Sequence, residues 1–122
     1  MRIARSEIPV AVDFGDYVGK YAALGGMHFA FEKCAKGYTI DPMLAAYADN
    51  ACPVEHWGLM FKGSVLVKYT DGTEETFVEG DAYHVPPGHR PYFLEDSELL
   101  QITRADEHAE LIRTISEAGL LG

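Results

Sequence analysis

The most constraining stretch of the chain is the pair Asp71-Gly72, set between two runs with strand character. Before it, Val65, Val67 and Tyr69 fall on every second position, and after it comes the return stretch 74–78. Asp and Gly both tolerate positive φ, so such a pair between alternating runs predicts a tight β-hairpin. Similar short runs lie on either side. Val10, Val12 and Phe14 alternate, and so do Met27, Phe29 and Phe31, with His28, Ala30 and Glu32 on the opposite face. Residues 56–61 form another run, and Gly63 permits a bend after it. Gly80-Asp81 makes a turn, 82–85 a strand stopped by Pro86-Pro87-Gly88, and 92–94 and 99–103 complete the set. Many short strands punctuated by turn residues predict an all-β sandwich or barrel. Residues 44–47 fit a strand or a short helical turn equally well.

The tail changes period. Leu111, Ile112, Ile115 and Ala118 share one face at helical spacing, and Gly119 stands where a C-cap belongs. One short helix over about 106–118 is predicted there, against the outside or one end of the barrel.

The length of 122 residues fits a single domain, 1–122. A formal net charge of -9 sets the protein against nucleic acid and anionic membrane, both of which would repel it. No stretch approaches the roughly 18 apolar residues of a membrane span. Met1-Arg2-Ile3-Ala4-Arg5-Ser6-Glu7 meets charge before any apolar run develops, so a cytoplasmic location is expected, with Cys34 and Cys52 as reduced thiols.

The segment Gly80-Asp81-Ala82-Tyr83-His84-Val85-Pro86-Pro87-Gly88-His89-Arg90-Pro91 resembles the second sequence motif of the cupins. Gly80, Pro86 and Gly88 match it in spacing. Pro91 stands where that family has its final His, and His89 is two residues away. The first cupin motif, two His and a Glu before a closing Gly, is divergent. With Gly63 as that Gly, His56 takes the Glu position, and the two His positions fall near Asp49 and Ala51, or Asn50 and Cys52. The resemblance runs over 52–103. It implies a cupin-type jelly-roll β-barrel with a pocket in its mouth, commonly dimeric, in which three His and one Glu often hold a divalent metal.

Two readings remain open for each candidate residue. His56 is placed inside the barrel by strand alternation, either as a metal ligand or catalytic base, or as a core histidine satisfied by a neighbour. His89 follows Gly88 in a loop at the mouth and could turn toward the pocket or into solvent. His28 completes a candidate metal set of His56, His89 and His28, with Glu55 and Cys52 as alternates, for one divalent ion such as Fe, Mn, Zn or Ni. His84 is expected to face outward opposite Val85, and His108 to be structural. Met60, by parity with His56, and Tyr83 and Tyr92 supply apolar or aromatic surface for a ligand, or ordinary core. Arg90 would suit a carboxylate.

Three functions follow as expectations. The first is an enzyme acting on a small organic metabolite, with His56 as ligand or base. The second is a non-catalytic or regulatory binding module without metal. The third is a homodimer whose interface includes Val10, Val12 and Phe14, since so short a chain leaves an edge strand to cover.

Overall fold

The structure is a computed structural model that describes residues 1–121. Its strands are β1 (Val10–Asp13), β2 (Tyr17–Leu24), β3 (Met27–Cys34), β4 (His56–Lys62), β5 (Ser64–Tyr69), β6 (Glu74–Val78), β7 (Ala82–Val85), β8 (His89–Phe93) and β9 (Ser97–Arg104). A short helix α1 (Asp41–Leu44) interrupts them, and α2 (Ala105–Glu117) follows them. All pairings are antiparallel, in one sheet of order β1-β2-β3-β9-β4-β7 and a second of order β6-β5-β8.

The expected hairpin is β5–β6. Gly72 takes φ 91°, and Asp71 Oδ1 accepts from the Thr73 amide at 2.9 Å and the Thr73 hydroxyl at 2.6 Å. The two sheets share one core. Cys34, Met60, Tyr83, Val85 and Leu99 come from the larger sheet, and Val65, Val67 and Phe77 from the smaller. Period-two alternation decides which residues reach it. On β7, Tyr83 and Val85 are buried while Ala82 and His84 are exposed. On β4, His56 and Met60 are buried and Leu59 is exposed. Gly58 shares their face for a steric reason: a Cβ there would come within 2.1 Å of the Leu100 carbonyl oxygen and 2.4 Å of the Tyr83 ring. The bare α-carbon lets Tyr83 lie across β4.

Several elements differ from the sequence expectation. Strand β2 has no counterpart among the runs expected from the sequence. Gly25-Gly26, expected only as a boundary, is the turn that joins β2 to β3, and Leu24 pairs with Met27 across it. Strand β8 begins at His89 rather than at 92, so His89 is a strand residue and not part of a mouth loop. What fixes it is the connection between β3 and β4. That segment bonds across the sheet end, with the Cys52 amide donating to the His89 carbonyl and the Gly88 amide to the Cys52 carbonyl, both at 2.8 Å. Residues 41–44 settle the local ambiguity as a helical turn. Helix α2 has no side-chain N-cap. Asp106 and Glu107 complement the positive end of its dipole, and Gly119 closes it at φ 73°. Its Leu111 packs on the small cluster of Leu44, Cys52 and Val54. Among the described residues no helix is long and apolar enough to cross a membrane.

Candidate functional site

A cavity of about 90 Å³ lies between the two sheets. That is room for a few waters or a small organic group. Its middle is apolar, walled by Val65, Val67, Phe77, Val85 and Leu99 with Ile40, Pro91 and Phe93. Polar groups gather at two places on the wall.

The first place is a cluster of Cys52, His56 and His89, whose ligand atoms all lie within 4.8 Å of one another. His56 and His89 line the cavity and each is only 4% exposed. Strand β4 aims His56 inward, β8 aims His89 inward, and the bridge between Cys52 and His89 brings the thiol beside them. Each ring is held from behind. His89 Nδ1 lies 2.8 Å from the Pro86 carbonyl, which can only accept, so Nδ1 carries the proton and Nε2 keeps a free lone pair. His56 Nδ1 lies 2.7 Å from the Thr103 hydroxyl, and its Nε2 faces Cys52 Sγ at 3.6 Å. Burial, helped by the neighbouring imidazoles, pushes His56 down to about 3. His89 is lowered by burial as well, and burial pushes the Cys52 thiol up to about 11. Both imidazoles are therefore neutral at physiological pH, the form that binds metals.

The second place is made by Glu32, Tyr17, Tyr38, Tyr83 and Gln101, with Cys34 nearby. The Tyr17 hydroxyl donates to Glu32 and lies 2.7 Å from the Tyr21 hydroxyl, while Tyr83 donates to Gln101 at 3.2 Å. Burial pushes the Glu32 carboxyl up to about 7, against the Tyr17 hydrogen bond that favours its charge. Burial and the Glu32 charge together push Tyr17 well above the ordinary phenol range.

The expected site residues are distributed as follows. His56, His89 and Tyr83 line the cavity. Met60 is fully buried in the core beside it, without lining it. Arg90 and Tyr92 alternate with His89, Pro91 and Phe93 on β8 and so face the other way, where the Lys68 ammonium sits 5.3 Å from the Tyr92 ring. His28 is not grouped with His56 and His89; it stacks on His108 at 3.7 Å. Glu55 faces outward, bound by His84 at 2.6 Å and Arg104 at 2.9 Å. Glu32, Tyr17, Tyr38 and Gln101 were not singled out from the sequence. The sequence pattern predicts no strand at Tyr17 and leaves the parity of β3 open. An available signal was the alternation of Tyr17, Gly19, Tyr21 and Ala23 leading into Gly25-Gly26.

No family model and no curated protein matches the sequence. Solved structures do match the fold. An RmlC-like cupin from Shewanella frigidimarina aligns at TM-score 0.62 and 16% identity, over 88% of this chain and 93% of that one. This chain has the cupin fold. The Bacillus subtilis oxalate decarboxylase is similar at TM-score 0.62 and 15% identity, over 84% of this chain and 28% of that larger one. The polyketide cyclase RemF from Streptomyces resistomycificus follows at TM-score 0.60 and 13% identity, over 86% and 79% of the two chains. At such identities the likeness to these proteins concerns architecture.

Proposed function

We propose that the protein binds a small organic molecule in its barrel cavity and acts on it with one divalent metal held by Cys52, His56 and His89. The observation that carries this reading is the convergence of three buried donors, two of which, His56 and His89, line the cavity. Their chemistry fits a metal. A tetrahedral zinc with bonds of about 2.3 Å to sulfur and 2.0–2.1 Å to nitrogen spans about 3.6 Å between those two ligands, which is the 3.6 Å separating Cys52 Sγ from His56 Nε2. One thiolate with two imidazoles favours zinc over Mn, Fe or Ni. In one of the two alignments that the resemblance allows, Cys52 and His56 fall where cupins carry the second His and the Glu of their first motif.

Three protein ligands leave a position for water or substrate, as catalytic zinc sites do. The metal, when bound, supplies polarisation of a substrate oxygen or a more acidic water. The chain's own groups do the rest. Thr103 and Pro86 fix the ring orientations, as metal-bound histidines require. The valines, Leu99 and the phenylalanines exclude water. Glu32 can take or give a proton near neutrality. Proteins of similar fold are named as a decarboxylase, a cyclase and an epoxidase, so an enzyme is a natural use of such a barrel.

Elemental analysis of protein purified without a metal-affinity tag tests the metal. About one zinc per chain is expected, with tenfold or greater loss of affinity in Cys52→Ser. Metal far below one per chain, with none taken up when Zn, Fe, Mn or Ni is added, overturns the reading. A metal-free binding module is the second reading, favoured by Pro91, which lines the cavity at the position of the family's final His. A molecule that raises the melting temperature of metal-free protein and is recovered unchanged would select it.

A further inference from the structure

We infer that the Glu32 region of the cavity is a receptor for an organic ammonium group, so that the ligand of this barrel carries a positively charged nitrogen. The inference rests on the cavity being a small-molecule site and is independent of whether metal binds.

Glu32 points into the barrel, yet among the described residues its only hydrogen-bond donor is Tyr17. No Lys or Arg lines the cavity among the described residues, and both lining histidines are kept neutral by burial. The adjacent Lys33 is exposed and lies 3.8 Å from Glu98 instead. A half-buried carboxylate on a cavity wall without a counter-charge is costly, and the fold leaves that charge for a ligand to meet.

The surroundings suit a cation beyond simple charge. Tyr17 stacks on Tyr38 at 5.3 Å, Tyr38 meets Phe93 at 6.3 Å, and Phe77 stacks on Tyr83 at 5.0 Å. Aromatic faces around a carboxylate are the recurrent solution for holding alkylammonium groups. The cavity volume of about 90 Å³ admits a group of tetramethylammonium size rather than a large ring system. The net charge of -9 draws cations toward the protein from a distance. A carboxylate ligand is disfavoured on the same grounds. Arg90, the residue that would have paired with one, faces away from the cavity.

Three probes of similar shape and different charge test this: tetramethylammonium, tert-butanol and pivalate. Tetramethylammonium has no lone pair for a metal, so its binding cannot report on the cysteine–histidine cluster. Calorimetry and melting shifts on the full chain should rank it at least about tenfold above tert-butanol, with pivalate weakest. Glu32→Gln should erase that preference while leaving metal content unchanged. A second readout uses the unsubstituted protein. The groups facing Glu32 are Tyr17 and Tyr21 of β2, Cys34 of its own strand, Tyr38, Tyr83 of β7 and Gln101 of β9. These are uncharged at neutral pH, the titratable ones pushed upward by burial, and the Asp16 carboxylate before β2 acts on Cys34 and Tyr38. Glu32 alone ionises between about pH 6 and 8, so tetramethylammonium affinity should rise across that range. Equal binding of tert-butanol, tighter binding of pivalate, or a preference that survives in Glu32→Gln overturns the inference. Absence of metal from the purified protein would overturn only the metal reading.

Discussion

His56 and His89 meet at a ring separation of 5.0 Å and an angle of 71°, whereas His28 and His108 meet at 3.7 Å and 10°. The second pair is closer, and burial lowers both of its members too. Yet among the described residues no thiol or third ligating group is clustered with it. His28 comes from β3 and His108 from α2, so their stack belongs to the packing of helix on sheet. His28 Nε2 is buried there with no hydrogen-bond partner. In the first pair the rear nitrogens are held by Thr103 and Pro86, and His56 Nε2 lies 3.6 Å from Cys52 Sγ. Proximity of imidazoles does not make a metal site. A site needs lone pairs that converge, a third donor and space for what is to be bound.

The largest expected effect separates the two pairs directly. His56→Ala removes a donor, opens a void and leaves the buried Thr103 hydroxyl without its partner. We expect metal uptake to fall at least tenfold. We also expect the metal-free protein to lose about 2–4 kcal/mol in urea unfolding. His28→Ala should leave metal uptake unchanged, since His28 is not one of the three converging donors. Equal metal loss in both variants would erase the distinction between the pairs.

The pairs also differ in how far the sequence disclosed them. His56 was legible because two signals agreed: alternation along 56–61 and the distance back from Gly63. Grouping His28 with His56 and His89 rests on its place opposite the stripe of Met27, Phe29 and Phe31, where the sequence does not fix which face lines the pocket. Its partner His108 lies 80 positions away on α2, and no local pattern fixes where a terminal helix lands. The β5–β6 hairpin was visible because the Asp71-Gly72 signal is local. The Tyr17–Glu32 contact was hidden because it needs the register of β2 on β3, and because the apolar alternation of Met27, Phe29 and Phe31 drew attention to the outer face of that strand. There Phe31 stacks on Phe61 under the Arg5 guanidinium, while Glu32 and Cys34 face inward.

A second effect, of intermediate size, sets Glu32 against the histidines, because its linkage to pH has the opposite sign. Its folded pKa of about 7 lies above its ordinary 4.5, so the fold prefers the protonated acid. That contribution to stability is present below about pH 4.5 and is lost as pH rises through about 7. Glu32→Gln keeps a neutral group of similar shape at every pH. The metal-free variant should therefore be more stable than the parent by about 1–3 kcal/mol at pH 8, and the gain should vanish toward pH 5. A gain that does not depend on pH would mean that the carboxyl is already charged in the fold.

The smallest effect sharpens the account of the stacked pair. Burial first, and then the nearby His108, lower His28 from 6.5 to about 4. The neutral ring is favoured in the fold, so its contribution is present above about pH 6.5 and is lost as pH falls toward 4. His28→Phe keeps an aromatic face for His108 while removing both the titration and the orphaned Nε2. Urea unfolding of metal-free protein should give a shallower decline in stability between about pH 6.5 and 4, since only His108 of the pair still titrates. The variant should exceed the parent by about 1 kcal/mol at pH 5, less than the whole shift implies because the ring is only half-buried. Parallel pH curves for the two proteins would show that His28 is protonated within the stack, and the pair would then have to be understood as a charged contact rather than as packing.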